Sequence, residues 1–361
     1  MKTNKNLQRR TLKTGLMLLM AMLVACGSGG GSDNDTEPAG NSRTSSYIGT
    51  QSPGDVWSWT ITMTGGTGIF DATNETLDYE YAGDVSMLPS GFLNLTITSS
   101  TDPDTLPGDR TYALEFPDTA LLAIPTGGDP LIVCAAVGPC PADDAVYNWV
   151  SLLDDSYDAS MDDAYGVTAM TIAGSDIDFA HEFFLLDGTD AGTGSSSDFT
   201  CADGRLTHPL NPEVFVATPS GLLITDNGPS LGGIVGMQAP AGPIDLADLT
   251  AAGREFRGVV FKTSAGADVE TEAVWVRTDG SDGLITGNYV DIEAGVETTS
   301  LATVVLTTQT RPGVIRMTRT EGTEINHSVI MVNRINGRYF IYGVGTGLPH
   351  HAGENYLVIE H

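Results

Sequence analysis

The chain has 361 residues, with 17 lysines and arginines against 46 aspartates and glutamates, and a formal net charge of −29. Apolar residues make up 41% of the sequence, which is enough to build buried cores in one large or two medium domains. Because so acidic a surface repels phosphate groups and attracts cations, we exclude nucleic-acid binding. The charge is compatible with a cationic or protein partner, but a surface that only keeps the protein soluble is the favoured interpretation.

The first 25 residues are predicted to be a signal peptide for export. Five basic residues precede an apolar run over residues 15–25, which is too short to span a bilayer as a helix. The letters "LVAC", ending at Cys26, resemble the lipobox of bacterial lipoproteins. That resemblance implies that Cys26 carries acyl chains such as palmitate, and that the membrane is reached through this lipid anchor. Gly27 follows in place of an aspartate, which implies the cell outer membrane, on its periplasmic or surface face.

Residues 26–46 are predicted to form a flexible, lipidated tether. They consist mainly of Gly, Ser, Asn, Asp and Thr, with almost no apolar side chain. Such a segment cannot bury enough surface to offset the entropy of ordering it. We therefore expect the folded part of the chain to begin after it.

Residues 47–204 are predicted to form an acidic, antiparallel β domain, a sandwich or a barrel. In "DVWSWTITMT" the side chains of Trp57, Trp59, Ile61 and Met63 alternate with polar ones, as in a half-buried strand. Similar segments follow, separated by clusters of Gly, Pro and Asp. Between residues 44 and 204 the only basic residue is Arg110, against 26 acidic ones, and this asymmetry indicates a structural unit of its own.

Three parts of the chain interrupt this pattern. After Asp143 or Asp144 as a cap, Ala145, Trp149 and Leu152 or Leu153 fall at helical spacing, which predicts one short helix. Residues 188–198, rich in Gly and Ser, are interpreted as a long exposed loop or as the interdomain linker. Residues 205–253 form a connecting β segment that the sequence assigns to neither domain.

Residues 254–361 show the clearest strand pattern. Eight candidate strands follow one another with short turns, which favours an up-and-down barrel over a two-sheet sandwich. Asn336 and Gly337 give a strong signal for a type I′ hairpin turn, because both central positions of that turn need positive φ. The sequence therefore predicts an all-β protein with an acidic N-terminal domain and a C-terminal barrel.

Export would permit disulfide bonds among the remaining cysteines. Cys134 and Cys140 in "CAAVGPC" could close a small hairpin loop, and this is our first assignment. A bond from Cys201 to either of them is left open, because spacing alone does not decide the pairing.

Two clusters contain metal-ligating residue types. His350, His351 and Glu354 offer imidazole and carboxylate ligands for zinc, but adjacent histidines in a strand point to opposite faces, so an exposed loop is favoured. Asp102, Asp104 and Asp109 could hold a weakly bound Ca²⁺ ion. They lack the ligand order of an EF-hand, and aspartate is common in turns, so solvated turns are favoured here as well.

No familiar catalytic motif is present. Ser195, Ser196 and Ser197 lie in a glycine-rich stretch, but no spacing links them to a histidine, and His181 is interpreted as a strand residue. The aromatic residues Trp57, Trp59, Tyr79 and Tyr81 could form a platform for a sugar or peptide, although their placement is more typical of a core.

We therefore expect a cell-envelope lipoprotein that acts as a non-catalytic surface binding or adhesion module. The first alternative is a lipocalin-like carrier that holds a small apolar ligand in the C-terminal barrel. The second is a metal-dependent hydrolase that uses the histidines near the C-terminus. A filled barrel interior would argue against the carrier.

Overall fold

The computed structural model describes residues 42–51, 55–125, 131–151, 165–185, 187–218, 220–226, 233–263, 270–281, 284–347 and 352–361. Within these ranges the strands form three closed antiparallel barrels of eight strands each. In every barrel, consecutive strands are neighbours and the last strand pairs with the first. The predicted all-β class and the predicted up-and-down barrel are both confirmed.

The first barrel is built from the acidic N-terminal part of the chain. Inward-facing side chains from its strands form one buried cluster, which includes Trp57, Trp59, Ile61 and Met63. Its strands are β1 Ser42–Gln51, β2 Asp55–Thr64, β3 Thr67–Asn74, β4 Tyr79–Met87, β5 Leu93–Ser100, β6 Arg110–Phe116, β7 Ala120–Ile124 and β8 Ile132–Ala136. The alternation seen in β2 is thus the alternation between barrel interior and exterior.

The second barrel was not predicted as a separate unit, and a boundary at residue 204 cuts through it. Its strands are β9 Ala145–Ser151, β10 Tyr165–Ala173, β11 Asp176–Phe184, β12 Asp190–Ala202, β13 Arg205–His208, β14 Asn211–Ala217, β15 Leu222–Asp226 and β16 Gly233–Gln238. The predicted short helix is strand β9, and the predicted loop over residues 188–198 lies largely in β12. Both predictions were wrong because neither sequence alternates apolar with polar residues. β9 is buried on both faces over residues 147–150, and β12 consists mainly of small or polar residues.

The third barrel matches the predicted C-terminal domain closely. Its strands are β17 Glu255–Thr263, β18 Glu270–Thr278, β19 Leu284–Val290, β20 Glu297–Arg311, β21 Val314–Glu321, β22 Glu324–Ile335, β23 Arg338–Gly347 and β24 Ala352–Glu360. Asn336 and Gly337 have φ angles of 51° and 83°, as the predicted hairpin turn requires. A one-turn helix, α1 Leu246–Leu249, precedes the barrel, with Asp245 as its N-cap. Leu249 of this helix is fully buried in the barrel's interior cluster.

The three barrels pack around one shared hydrophobic core. Outward-facing side chains such as Leu122 in the first barrel, Val235 in the second and Phe340 in the third belong to a single buried cluster. Strand β7 is consequently buried on both faces. The three barrels belong to one compact unit and are not independent domains joined by linkers.

Polar contacts also join the barrels at their surfaces. Arg205 of the second barrel pairs with Glu75 of the first at 2.6 Å. The Tyr112 hydroxyl donates to Glu293 of the third barrel at 2.6 Å. These contacts fix the barrels around the core that they share.

The disulfide bond joins Cys140 to Cys201, with a Cα–Cα distance of 5.9 Å. Our first assignment, Cys134 to Cys140, was wrong. Cys134 lies inside the first barrel as a buried free thiol, and burial raises its pKa above the ordinary range. The observed bond ties the segment between the first two barrels to the end of β12, a contact between residues 61 positions apart that spacing could not reveal. No helix in the described part of the chain has the length and apolar character needed to cross a membrane.

Candidate binding surface

The interior of the third barrel contains a small cavity. Its volume is about 70 Å³, and its walls are mainly aliphatic, with Leu306, Met317 and Ile330 among them. Arg319, a buried cation, also lines it; its guanidinium group lies 6.0 Å from the ring of Tyr289 and 5.8 Å from the ring of Tyr356. Ligand pockets in proteins usually measure about 300–1,000 Å³. The cavity is therefore far smaller than a lipocalin-like carrier needs.

The first barrel is filled by its aromatic side chains. Trp57 stacks on Trp59 at 5.7 Å and on Tyr81 at 5.5 Å between ring centroids. The two tryptophans are buried, whereas Tyr79 and Tyr81 are half-buried. The interpretation of this set as core is confirmed for the tryptophans, whose rings are not available as a sugar platform.

The second barrel contains a hydrogen-bonded histidine that sequence reasoning did not connect to a serine. His181 Nδ1 lies 2.8 Å from the Thr168 hydroxyl, and Nε2 lies 3.1 Å from the Ser196 hydroxyl. Burial lowers the pKa of His181, which favours the neutral ring. The signal was missed because Ser196 was assigned to a loop, whereas β12 pairs with β11 and brings the two side chains together.

This arrangement differs from a catalytic triad in its third member. In a triad, a buried carboxylate orients the histidine and stabilises its charged form. Here that place is taken by the uncharged Thr168 hydroxyl. The contacts are those of a histidine whose two ring nitrogens both have hydrogen-bond partners, and we assign it a structural role.

An open groove lies where the second and third barrels meet. Its volume is about 850 Å³, and its lining combines apolar side chains with polar ones. The lining residues are Asp144, Ala145, Val146, Asn148, Val167, Ala169, Met170, Thr171, Gln238, Ala239, Pro240, Arg311 and Pro312. Val146 is 44% exposed, so an apolar contact is available to a binding partner. We call this feature the interbarrel groove.

Hydrogen bonds within the second barrel, and between it and the third, hold the groove in shape. The side-chain amide of Asn148 donates to the carbonyl oxygen of Pro312 in the third barrel at 2.9 Å, and within the second barrel the Ala239 N–H donates to the Val146 carbonyl at 2.7 Å. At one side, Arg311 reaches Glu182 at 3.3 Å and lies 4.6 Å from the ring of Phe184. The groove is therefore formed before any partner binds, which reduces the entropic cost of binding.

Two of the three predicted calcium ligands, Asp102 and Asp109, accept hydrogen bonds from neighbouring groups. Asp102 accepts hydrogen bonds from the Asp104 N–H at 3.0 Å, the Thr105 hydroxyl at 2.7 Å and the Tyr81 hydroxyl at 3.1 Å. Desolvation raises the pKa of Asp102, but these hydrogen bonds outweigh it and the pKa falls below its ordinary value. Asp109 accepts from the Leu106 N–H at 2.7 Å. Among the described residues, no three His, Cys, Asp or Glu side chains are grouped to hold a metal ion.

The remaining predicted site residues are only partly described. Cys26, His350 and His351 lie outside the described residues. The backbone of Glu354 lies in β24, opposite Gly345 of β23 and Lys262 of β17. Lipid attachment at Cys26 and metal binding near His350 and His351 stay predictions.

Comparisons with known proteins leave the chain without an assigned family. No protein-family model matches the sequence, and no curated protein matches it. A solved structure of intact Ap-TbpB, with N and C lobes, is similar over 90% of this chain and 78% of that chain. The sequence identity is 8% and the TM-score is 0.29, values too low to support an inference about function.

Proposed function

We propose that the protein is a lipid-anchored binding module of the bacterial cell envelope, held at the outer membrane through Cys26, and that it binds a protein partner in the interbarrel groove. The observation that carries this proposal is the preformed groove of about 850 Å³. Among the described residues, buried clusters of side chains occupy the barrel interiors, and this supports binding at the outer surface.

The chemistry of the groove favours a protein segment over a nucleic acid or a fatty acid. Val146, Val167 and Ala169 offer apolar contacts, whereas Asn148 and Gln238 lie beside them. A mixture of apolar surface and a few polar groups is typical of protein interfaces. The excess of acidic residues in the chain adds attraction for a partner with basic side chains near its contact residues.

Site-specific photocrosslinking in intact cells tests the groove. A photoreactive residue at position 146 should yield a discrete crosslinked product. The matched control is position 305, because Val305 is also an outer-surface valine and is 40% exposed. The same products at both positions, or none at position 146, would show that the groove does not bind a partner.

Membrane fractionation tests the anchor. Attached acyl chains contribute about 0.8 kcal/mol for each buried methylene, so a high-salt wash should leave the protein in the membrane fraction. Cys26→Ala removes the sulfur to which the lipid would be attached and should release the protein into the soluble fraction. A variant that stays in the membrane fraction would contradict lipidation at Cys26.

A further inference from the structure

One side of strand β12 has a long stretch without a hydrogen-bonding neighbour. β12 pairs with β11 from Asp190 to Phe199, but it pairs with β13 only through residues 200–202. The reason is that β13 has only four residues, Arg205–His208. In the part of the chain that the structure describes, residues 190–198 therefore have a ladder partner on one side only. We call residues 190–198 the β12 edge.

Within the described ranges, the β12 edge lacks the usual protection of an edge strand. Edge strands in natural proteins are usually covered, or carry lysine or proline, because their free N–H and C=O groups can pair with another chain. The sequence from 190 to 202 contains no Lys, Arg or Pro. Residues 190–198 are all exposed or half-exposed. The edge is thus accessible to an incoming strand.

The regular part of the edge is long enough for strand addition. Pairing with β11 is regular over residues 192–196, between two irregularities in register. Every second residue of an antiparallel strand directs its N–H and C=O towards the neighbour on one side. The Gly192 N–H is bonded to the Asp190 carboxylate at 2.8 Å, and a carbonyl of an added strand could replace that local contact.

The side chains of this stretch are small. One face of the strand carries Gly192, Gly194 and Ser196. On the same face of β11, Phe183 pairs with Gly192 and His181 pairs with Gly194. Both of these rings are half-exposed. An added strand could therefore place every second side chain on the same face as these rings.

An exposed leucine lies where the uncovered part of the strand begins. Thr200 pairs with Thr207 near the end of β13, so the turn after β13 lies beside the start of the β12 edge. Leu210 in this turn is 91% exposed. It offers an apolar contact to a strand that continues along the edge.

The charge around the edge is negative. The sequence from 165 to 202 contains no Lys or Arg, and its acidic residues are Asp176, Asp178, Glu182, Asp187, Asp190 and Asp198. Five of them are exposed and Asp178 is half-exposed. Arg311 of the third barrel pairs with Glu182, and Arg316 of the same barrel contacts the Asp187 carbonyl, so part of this charge is compensated. The remaining field favours a segment that carries positive charge.

From the uncovered backbone, the small side chains and the local charge, we propose that the β12 edge binds an extended, basic segment of a partner protein by β-strand addition. Backbone hydrogen bonds supply affinity, and the lysines or arginines of the segment select it over neutral strands. The edge shares no residue with the interbarrel groove, so the two binding surfaces can be tested separately.

A synthetic peptide tests this proposal with the full-length protein in detergent. The probe is a fluorescent peptide of about eight residues that alternates lysine with valine, a pattern that favours an extended strand. We expect it to bind and to slow amide hydrogen exchange at residues 192–196. A peptide of the same charge with proline in place of each valine should not bind, because proline removes every second N–H group and fixes φ near −65°, away from that of an extended strand.

Paired variants separate the edge from charge in general. Thr193→Lys with Ser195→Lys protects the edge and should weaken peptide binding at least about tenfold. Thr96→Lys with Thr98→Lys adds the same charge at two positions on β5 of the first barrel and should change binding less than about twofold. Val146→Glu in the groove should leave peptide binding unchanged, whatever its effect on groove crosslinking.

Three results would overturn the proposal. The first is equal weakening by both lysine pairs, which would indicate a nonspecific charge effect. The second is slowed exchange elsewhere with none at residues 192–196. The third is a dimer, seen by sedimentation, that the Thr193→Lys and Ser195→Lys changes convert to monomer, because the edge would then bind a second copy of this chain.

Discussion

Two buried tyrosines differ in what their hydroxyl groups contact. The Tyr47 hydroxyl donates to Glu115 at 2.8 Å, inside the first barrel. The Tyr342 hydroxyl lies in the shared core and has no hydrogen-bond partner among the described residues. Burial raises the pKa of both groups above the ordinary range, so both are neutral at physiological pH. A buried hydroxyl without a partner reduces stability, whereas a bonded one contributes to it.

Phenylalanine substitutions should therefore have opposite effects at these two positions. Tyr342→Phe removes an unsatisfied group and should raise the free energy of unfolding by about 1 kcal/mol. Tyr47→Phe removes a hydrogen bond to a carboxylate and should lower it by about 2 kcal/mol. Urea unfolding of the two variants checks this, and a loss of stability in Tyr342→Phe would show that its hydroxyl has a partner.

His181 should make the protein less stable in mild acid. Burial lowers its pKa in the folded state below the ordinary value of 6.5. As the pH falls through that ordinary value, the unfolded chain takes up a proton that the folded ring does not, so unfolding becomes more favourable. The contribution of the neutral ring is thus present above about pH 6.5 and is lost below it.

His181→Gln isolates this effect because glutamine does not titrate. Between about pH 7 and pH 5, unfolding free energy should fall more steeply in the parent protein than in the variant. The comparison uses slopes, since the substitution also removes the bonds to Thr168 and Ser196. Parallel curves would show that His181 has the same pKa in both states.

Strands with one face inside a barrel and the other in solvent could be predicted from the sequence. β2 is such a strand, and its alternation of buried and half-buried residues follows the letters directly. β9 is buried from Tyr147 to Val150 because Trp149 faces the barrel interior and Val150 faces the shared core. Alternation disappears in such a strand, and this is why a helix was predicted there.

The candidate surfaces depend on contacts that alternation does not encode. The interbarrel groove forms because Arg311 and Pro312 of the third barrel lie against β9 and β10 of the second. The contact between His181 and Ser196 needs the pairing of β11 with β12, a strand rich in Gly and Ser. No local property of these residues predicts their partners, because tertiary packing decides both.

The disulfide bond should stabilise the joint between the first two barrels. It closes a loop between residues 61 positions apart, and the chain-entropy relation gives about 4 kcal/mol for a loop of roughly this length. Cys140→Ala with Cys201→Ala should lower the unfolding free energy by up to that amount. Peptide mapping without reduction should recover Cys140 joined to Cys201, and a Cys134–Cys140 peptide in its place would contradict the structure.

The shared core implies that the three barrels unfold together. Side chains from all three barrels meet in one buried cluster, so unfolding one barrel would expose apolar surface on the other two. Folding of each barrel is thus coupled to its neighbours. Each barrel also has a buried cluster of its own, but no barrel could unfold without exposing its part of the shared one.

Tryptophan fluorescence can follow each barrel by itself. The four tryptophans of the chain are Trp57 and Trp59 in the first barrel, Trp149 in the second and Trp275 in the third. Three variants each keep the tryptophans of one barrel and carry phenylalanine at the other tryptophan positions. In each variant, the unfolding midpoint measured by fluorescence should coincide with the midpoint measured by circular dichroism. A midpoint for Trp275 that differs from the circular dichroism midpoint of the same variant would contradict coupled unfolding.

The closure of each barrel brings its two chain ends together. Tyr47 of the first strand pairs with Ala136 of the last strand in the first barrel, and Tyr147 pairs with Gln238 in the second. A gene segment that encodes a whole barrel could therefore be duplicated or excised with only short connectors to rejoin. Excising residues 145–238 would leave Leu122 and Phe340 without part of their packing. Such a change would therefore succeed only if the outer surfaces that it exposes were buried again by another part of the protein. The number of barrels in such a protein is thus limited by the apolar outer surface that each barrel must bury against its neighbours.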